Sequence, residues 1–277
     1  MQIGIFAKTY VRLTLEETLD AVKASSLDCV QFNMACAGLS SMPEEITPEC
    51  AARIKHAHES RGLVMAAVSG TFNMIHPDSG KRAEGMRRLA VLAAACGQLG
   101  TQVITLCTGT RDPENMWRRH PDNDSAQAWE KLHLSMSEAL EIAERNNVIL
   151  GIEPEIANVI DSAVKGRRLL DEMKSPRLKI VIDGANLFHR GELARMDEIL
   201  REAFDLLGRD LILAHAKDLD RDGAAGNKAA GRGVLNYDLY LRLLEHVHYS
   251  GPLILHGLEE SEVPLSVSFL RGKLAQS

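Results

Sequence analysis

Short apolar runs rich in Val and Ile recur along the whole chain, and longer stretches with helical patterning separate them. Such brief, almost wholly apolar runs are what strands look like when both faces are covered. They lie at Ile3 to Ala7, Val30 to Asn33, Val64 to Val68 and Val103 to Leu106 in the first half. In the second half they lie at Val148 to Ile152, Ile180 to Ile182, Leu211 to Ala214 and Leu253 to Leu255. Helix signals stand between them. Thr14, with Glu17 three residues on, makes a capping box for a helix reaching about Ala24. Thr47-Pro48-Glu49 opens another, with proline at the first helical position, ending near Gly62. Asp78 or Ser79 caps a long helix that stops at Gly97 or Gly100, and further helices run from about Ala126 to Arg145 and from about Val263 to Leu274. Strand and helix alternating in this way over residues 1–277 predict an α/β protein, a single (β/α)8 TIM barrel forming one domain. An open doubly wound sheet is the competing fold. A dinucleotide-binding version would carry G-x-G-x-x-G after the first strand, but Ala7-Lys8-Thr9-Tyr10-Val11-Arg12 contains no glycine.

Composition narrows the function more than the fold. The formal net charge of -6 argues against a nucleic-acid backbone as partner, which calls for a basic face. No apolar run approaches the ~20 residues that span a bilayer, and the N-terminus enters a strand pattern without a signal-peptide core. A cytoplasmic enzyme with no membrane partner is the expectation. The five cysteines form no C-x-x-C pair, so reduced thiols are expected rather than a disulfide framework or zinc knuckle.

In a barrel of this kind chemistry sits at the C-terminal ends of the strands. Here those ends read Glu153-Pro154-Glu155, Asp183-Gly184-Ala185-Asn186, His215-Ala216-Lys217-Asp218 and His256-Gly257-Leu258-Glu259-Glu260 on the last four predicted strands. Adjacent strands lie about 4.8 Å apart, so these groups can converge. Carboxylates crowded at a half-buried rim repel one another, and a divalent cation relieves that repulsion. Mixed oxygen and imidazole donors suit Mn2+, Mg2+, Co2+ or Zn2+. Each residue alone has an ordinary explanation: Asp183 as a helix cap, Glu153 as a loop carboxylate, His215 as a hydrogen-bonded core imidazole.

At these residues the chain resembles the sugar phosphate isomerase/epimerase superfamily, the xylose isomerase-like TIM barrels that also include endonuclease IV-type enzymes. Gly151-Ile152-Glu153-Pro154, Val181-Ile182-Asp183-Gly184-Ala185-Asn186 and Ala214-His215-Ala216-Lys217-Asp218 carry the resemblance. Gly231-Arg232-Gly233 and Gly251-Pro252-Leu253-Ile254-Leu255 add to it. It implies one divalent ion, Mn2+ first among the candidates, held by Glu153, Asp183, His215 and a fourth ligand after the eighth strand. The family places a glutamate there. This chain has His256, with Glu259 three residues on, so either His256 replaces the glutamate or Glu259 reaches back; His256 is favoured.

The implied activity is isomerisation or epimerisation of a small sugar or keto-sugar, by proton transfer through an enediolate held at the metal. Glu153 and Glu259 are the candidate proton carriers and Lys217 a third catalytic group. The same site would serve a dehydratase or lyase acting on a keto-sugar or inosose. Less favoured are a non-catalytic sugar-binding barrel and an abasic-site endonuclease, which would need about three metals and more histidines. Candidate substrate contacts are His76 after the third strand, Arg111, Trp117 and His120 on the long loop after the fourth, and Asn158, Asn186 and Arg232. Long loops in compact domains often act as lids. A homo-oligomer is expected from the resemblance alone.

Overall fold

The computed structural model describes residues 1–276. Its strands are β1 (Ile3–Phe6), β2 (Cys29–Phe32), β3 (Val64–Ser69), β4 (Val103–Leu106), β5 (Ile149–Ile152), β6 (Leu178–Asp183), β7 (Leu211–Asp218), β8 (Lys228–Ala229) and β9 (Leu253–Leu255). The helices are α1 (Leu15–Ala24), α2 (Pro48–Glu59), α3 (Ser79–Leu99), α4 (Ala126–Asn146), α5 (Ala163–Met173), α6 (Met196–Leu207), α7 (Tyr237–His246) and α8 (Val263–Leu274). Strands β1 to β7 pair in sequence order, all parallel. Strand β9 pairs with both β7 and β1, which closes the ring. The result is a closed eight-stranded parallel barrel ringed by eight helices, as the sequence pattern predicts.

The local chemistry explains the boundaries. Thr14 caps α1 in the expected capping box, Asp78 rather than Ser79 caps α3, and α3 ends at Gly100, whose φ of 90° lies in the left-handed region that glycine adopts without strain. Two strands differ from expectation. Strand β7 runs on to Asp218 instead of stopping at Ala214, because β8 pairs antiparallel with its end, Lys217 opposite Ala229 and Asp218 opposite Lys228. Strand β6 begins two residues earlier and ends one residue later than expected, at Leu178 and Asp183.

Two apolar layers hold the barrel. The larger fills the space between strands and helices. The smaller plugs the barrel interior with Cys29, Ala67, Val181, Leu213 and Ile254. The fit inside is tight: a Cβ on Gly4 would stand 2.5 Å from the Cys29 sulfur, and one on Gly151 2.9 Å from Val181 Cγ2. Side chains alternate along a strand, so residues two and four beyond this plug face the same axis, higher up. That alternation carries Gly151 to Glu153, Val181 to Asp183, Leu213 to His215 and Lys217, and Ile254 to His256. It therefore delivers the polar groups to the C-terminal mouth.

Candidate metal centre

A cavity of about 520 Å3 opens at that mouth, lined among others by Phe6, Gln31, Trp117, Glu153, His215 and Lys217. At its base Glu153, Asp183 and His215 bring one donor atom each within 4.8 Å of one another. Asp183 and His215 face each other directly in the β6–β7 register. Asp183 is fully buried, and one carboxylate oxygen is held by the Ala185 N–H at 2.9 Å. The other lies 3.7 Å from His215 Nδ1, which is also 3.6 Å from Glu153 Oε2.

The orientation of His215 is fixed from the far side of the barrel. Its Nε2–H donates to Gln31 Oε1 at 2.8 Å, and the Gln31 amide in turn donates to Thr105 Oγ1 at 3.2 Å. A neutral imidazole hydrogen-bonded this way turns the lone pair of Nδ1 toward the two carboxylates. Among the described residues neither that nitrogen nor Asp183 Oδ2 has a hydrogen-bond partner, although both are buried; the cation beside Asp183 Oδ2 is Lys217 Nζ at 3.2 Å. A lone pair facing two carboxylates at these distances is repulsive unless a cation lies between them. Donors that share one small divalent ion, each at about 2.0–2.2 Å from it, stand roughly 3–3.7 Å apart, so the two spacings from His215 fit a shared ion better than a direct hydrogen bond. Without a metal a proton takes that place. Burial disfavours the charged imidazole, but Glu153 and Asp183 outweigh it and lift the His215 pKa to about 9. Metal and proton compete for the same lone pair.

The remaining charges are arranged around this centre. Lys217 is buried, with Nζ 3.2 Å from Asp183 Oδ2; burial opposes its charge, and Asp183 and Glu153 more than restore it. Burial would raise the Glu153 pKa, but His215 beside it holds it below the ordinary value. Asn186 donates to Glu153 Oε1 at 2.6 Å and accepts from the Gly226 N–H at 2.9 Å, tying the carboxylate to the loop before β8. Behind the donors, the Tyr240 hydroxyl on α7 donates to the carbonyls of Ile182 and His215, and Tyr237 donates to that of Lys217.

His256 occupies the fourth corner in a different way. Its ring stacks on His215, with centroids 4.8 Å apart and planes 9° apart, and on Phe6 at 5.1 Å. Imidazole lone pairs lie in the ring plane, and parallel planes do not meet. In this rotamer His256 therefore stands beside the three-donor cluster, not in it. Burial, reinforced by His215 and Lys217, pushes its pKa down to about 3, which makes it a neutral imidazole. Its Nδ1 is buried without a hydrogen-bond partner among the described residues.

A family model described as the xylose isomerase-like TIM barrel matches residues 19–272. The chain belongs to this family. Solved structures with the same barrel include 3-keto-D-glucoside 4-epimerase YcjR from E. coli, at 17% identity and TM-score 0.74, covering 98% of this chain and 99% of that one. D-psicose 3-epimerase from Clostridium cellulolyticum H10 superposes at TM-score 0.75 with 17% identity, covering 99% of each chain. The probable 3-DHS dehydratase AsbF from Bacillus anthracis reaches TM-score 0.76 at 13% identity, covering 98% and 99%. No curated protein matches the sequence.

Within this xylose isomerase-like barrel the remaining sequence-predicted residues divide sharply. Trp117, Asn186, Lys217 and His256 line the cavity with Glu153 and His215. His76, Arg111, His120, Asn158, Arg232 and Glu259 do not. His76 accepts from the Asp78 N–H and bonds the Pro113 carbonyl, and Arg111 donates to the Ile75 carbonyl, so both stitch neighbouring loops together. Asn158 is buried between the Gly109 N–H and Glu155. His120 caps the turn at Asp122. Glu259 is exposed, with its N–H bonded to Glu262 Oε2 at 3.0 Å, so it does not reach back to the centre. Arg232 is likewise exposed. In their place the cavity gains Lys8, Gln31, Asn33, Ser69, Thr71 and Glu155, none singled out as site residues from sequence. Period-two alternation from the barrel plug would have found Gln31 and Asn33 beyond Cys29, and Ser69 beyond Ala67.

Proposed function

We propose that the chain is a divalent-metal-dependent isomerase or epimerase of a small sugar or keto-sugar, with Glu153, Asp183 and His215 holding the metal. The observation that supports it best is the pair of buried donor atoms without a hydrogen bond among the described residues, Asp183 Oδ2 and His215 Nδ1, facing Glu153 at the base of a sugar-sized cavity. The sugar epimerases that share the fold support the same reading. Mn2+ is the first ion to test. When bound, the metal would polarise a substrate carbonyl and acidify the neighbouring C–H.

The chain's own residues do the rest. The Glu153 carboxylate, kept ionised and aimed by Asn186, takes the proton from the carbon next to the carbonyl. The Lys217 ammonium donates a hydrogen bond to the oxygen on which negative charge develops. Glu153, now protonated, returns the proton to the adjacent carbon while the hydroxyl proton passes to the former carbonyl oxygen, which interconverts ketose and aldose.

A second reading draws on His256. Epimerisation needs a proton carrier on the opposite face of the substrate carbon, and the position where the family places glutamate holds a neutral imidazole. A neutral imidazole there can instead donate an N–H hydrogen bond to a leaving hydroxyl or alkoxide, which departs with the proton that Glu153 took up, and this gives a dehydratase or lyase. One experiment separates these. Metal-loaded protein is incubated in D2O with ketohexoses, 3-keto-sugars and inososes. Deuterium entering next to the carbonyl in recovered or isomerised sugar supports the isomerase, and loss of water with an unsaturated product supports the lyase. No exchange and no product with any of them would end both readings.

A further inference from the structure

The cavity at the metal centre does not end the cleft. A second hollow of about 690 Å3 adjoins it, and the two share Trp117, Glu155 and Ala225 as common walls. Each compartment lies within the roughly 300–1,000 Å3 range of small-molecule sites. A molecule seated over Glu153 and His215 therefore has room to continue outward past Trp117.

Three features of the outer hollow define what it would accept. First, Trp117 stands at the junction with 59% of its surface exposed, an indole face left open at the mouth. Second, Ala157, Ala224 and Ala225 also line the hollow, and side chains that small leave space for a ring. Third, the charge is largely settled. Arg118 is paired with Asp112 and Glu114, and Arg119 with Asp124 and Asp161. Arg190, exposed on the rim, has no ion pair or hydrogen bond among the described residues. An anion site would converge several free cations, whereas this one offers a single free guanidinium. An open indole face, a small-residue wall and one unpaired set of N–H donors suit a neutral polyhydroxylated ring. Its C–H face packs on the indole, and its hydroxyl oxygens accept from the arginine.

We propose that this hollow is a subsite for the second ring of a glycoside. The substrate is then a two-ring glycoside, with the reacting ring over Glu153 and the outer ring on Trp117, and not a free monosaccharide. This rests on the reading of the inner cavity as a sugar site.

The test is isothermal titration of Mn2+-supplemented protein with glucose, cellobiose and maltose. At least one disaccharide is expected to bind about tenfold tighter than glucose or better. Ala224→Phe, which fills the outer hollow alone, is expected to remove that advantage while glucose affinity stays within about twofold. Disaccharides binding no tighter than glucose would overturn the subsite and leave the inner reading intact, as would an Ala224→Phe variant that keeps the preference or weakens all three sugars alike. Absence of binding by all three sugars would overturn both. Turnover plays no part in the measurement, so a Glu153→Gln protein that has lost activity is expected to keep the disaccharide preference.

Discussion

The two halves of the barrel mouth are built from different chemistry. Strands β5, β6, β7 and β9 send up Glu153, Asp183 and His215, whose donor atoms lie within 4.8 Å of one another, with Lys217 against Asp183 and His256 stacked on His215, all titratable groups. Across the same cavity the ends of β2, β3 and β4 send up Gln31, Asn33, Ser69, Thr71 and Thr105, which are amides and hydroxyls. Charge concentrated on one side costs solvation and mutual repulsion unless a ligand meets it. Neutral donors and acceptors cost little while the cavity is empty and can orient a polyhydroxylated molecule. Under the proposed function, this division gives one half the work of holding a cation and moving a proton, and the other the work of orientation, with the Gln31–His215 hydrogen bond joining them.

The largest expected effect comes from the charged half. Glu153→Gln keeps the shape and the Asn186 contact but removes the proton carrier, so turnover should fall by about 10³-fold or more. The same change removes a carboxylate that Asp183 repels but that His215 holds ionised, so the metal-free variant should melt only slightly lower than wild type. Activity and melting temperature measured side by side check both statements. A variant that loses stability in step with activity would show that the cluster is structural and end the functional division between the halves.

Gln31→Leu probes the joint. It leaves every charged group in place but removes the acceptor that sets the His215 tautomer. Removing such an outer partner typically costs 10–100-fold in metal affinity, and a loss of about that size is expected in a Mn2+ titration. Thr105→Val, one hydrogen bond further out, should cost severalfold at most. If Gln31→Leu binds metal as wild type does, the early half has no hold on the late one.

Tyr240→Phe tests the support behind the centre. Its buried hydroxyl meets the carbonyls of Ile182 and His215, and its loss should destabilise the fold by about 1–2 kcal/mol in denaturant unfolding.

This division also explains how far the sequence could be read. The barrel was legible because eight apolar runs and their caps repeat a simple physical rule, and Glu153, Asp183 and His215 stood out because charge just past an apolar run is conspicuous. Gln31 sits inside a strand and looks like any polar residue of a barrel interior. Only the register from Cys29 shows that it points to the mouth, and only the folded chain puts it against a residue 184 positions away. His76, Arg111 and Asn158 are polar residues beyond strand ends, where substrate contacts are expected. Loops, however, must satisfy their own backbone groups, and these side chains are used for that. The extension of β7 was invisible because its partner β8 is two residues long.

At the opposite end of the same late strands, charge is arranged in the reverse sense. Lys179 on β6 and Arg167 on α5 bond the two oxygens of Asp210 at 2.7 and 2.9 Å, so every charge there has its counterpart within the chain. Partial burial would raise the Asp210 pKa, but Lys179 and Arg167 more than offset this and hold it below the ordinary carboxylate value. A carboxylate whose folded pKa is depressed contributes stability that is present above its unfolded pKa of about 3.9 and lost as pH falls through the folded value. Asp210→Asn should therefore cost about 1 kcal/mol at pH 7, a modest figure because solvent still reaches the group. The gap between variant and wild type should stay constant from about pH 8 to pH 5 and close as pH falls below about 4. Turnover at pH 7 should be unchanged. Urea unfolding across that pH series, with an activity assay at pH 7, checks this. A gap that persists at low pH would show that Asp210 acts through packing, and a loss of turnover would show that the two ends of the late strands are coupled, not separately charged for stability and for chemistry.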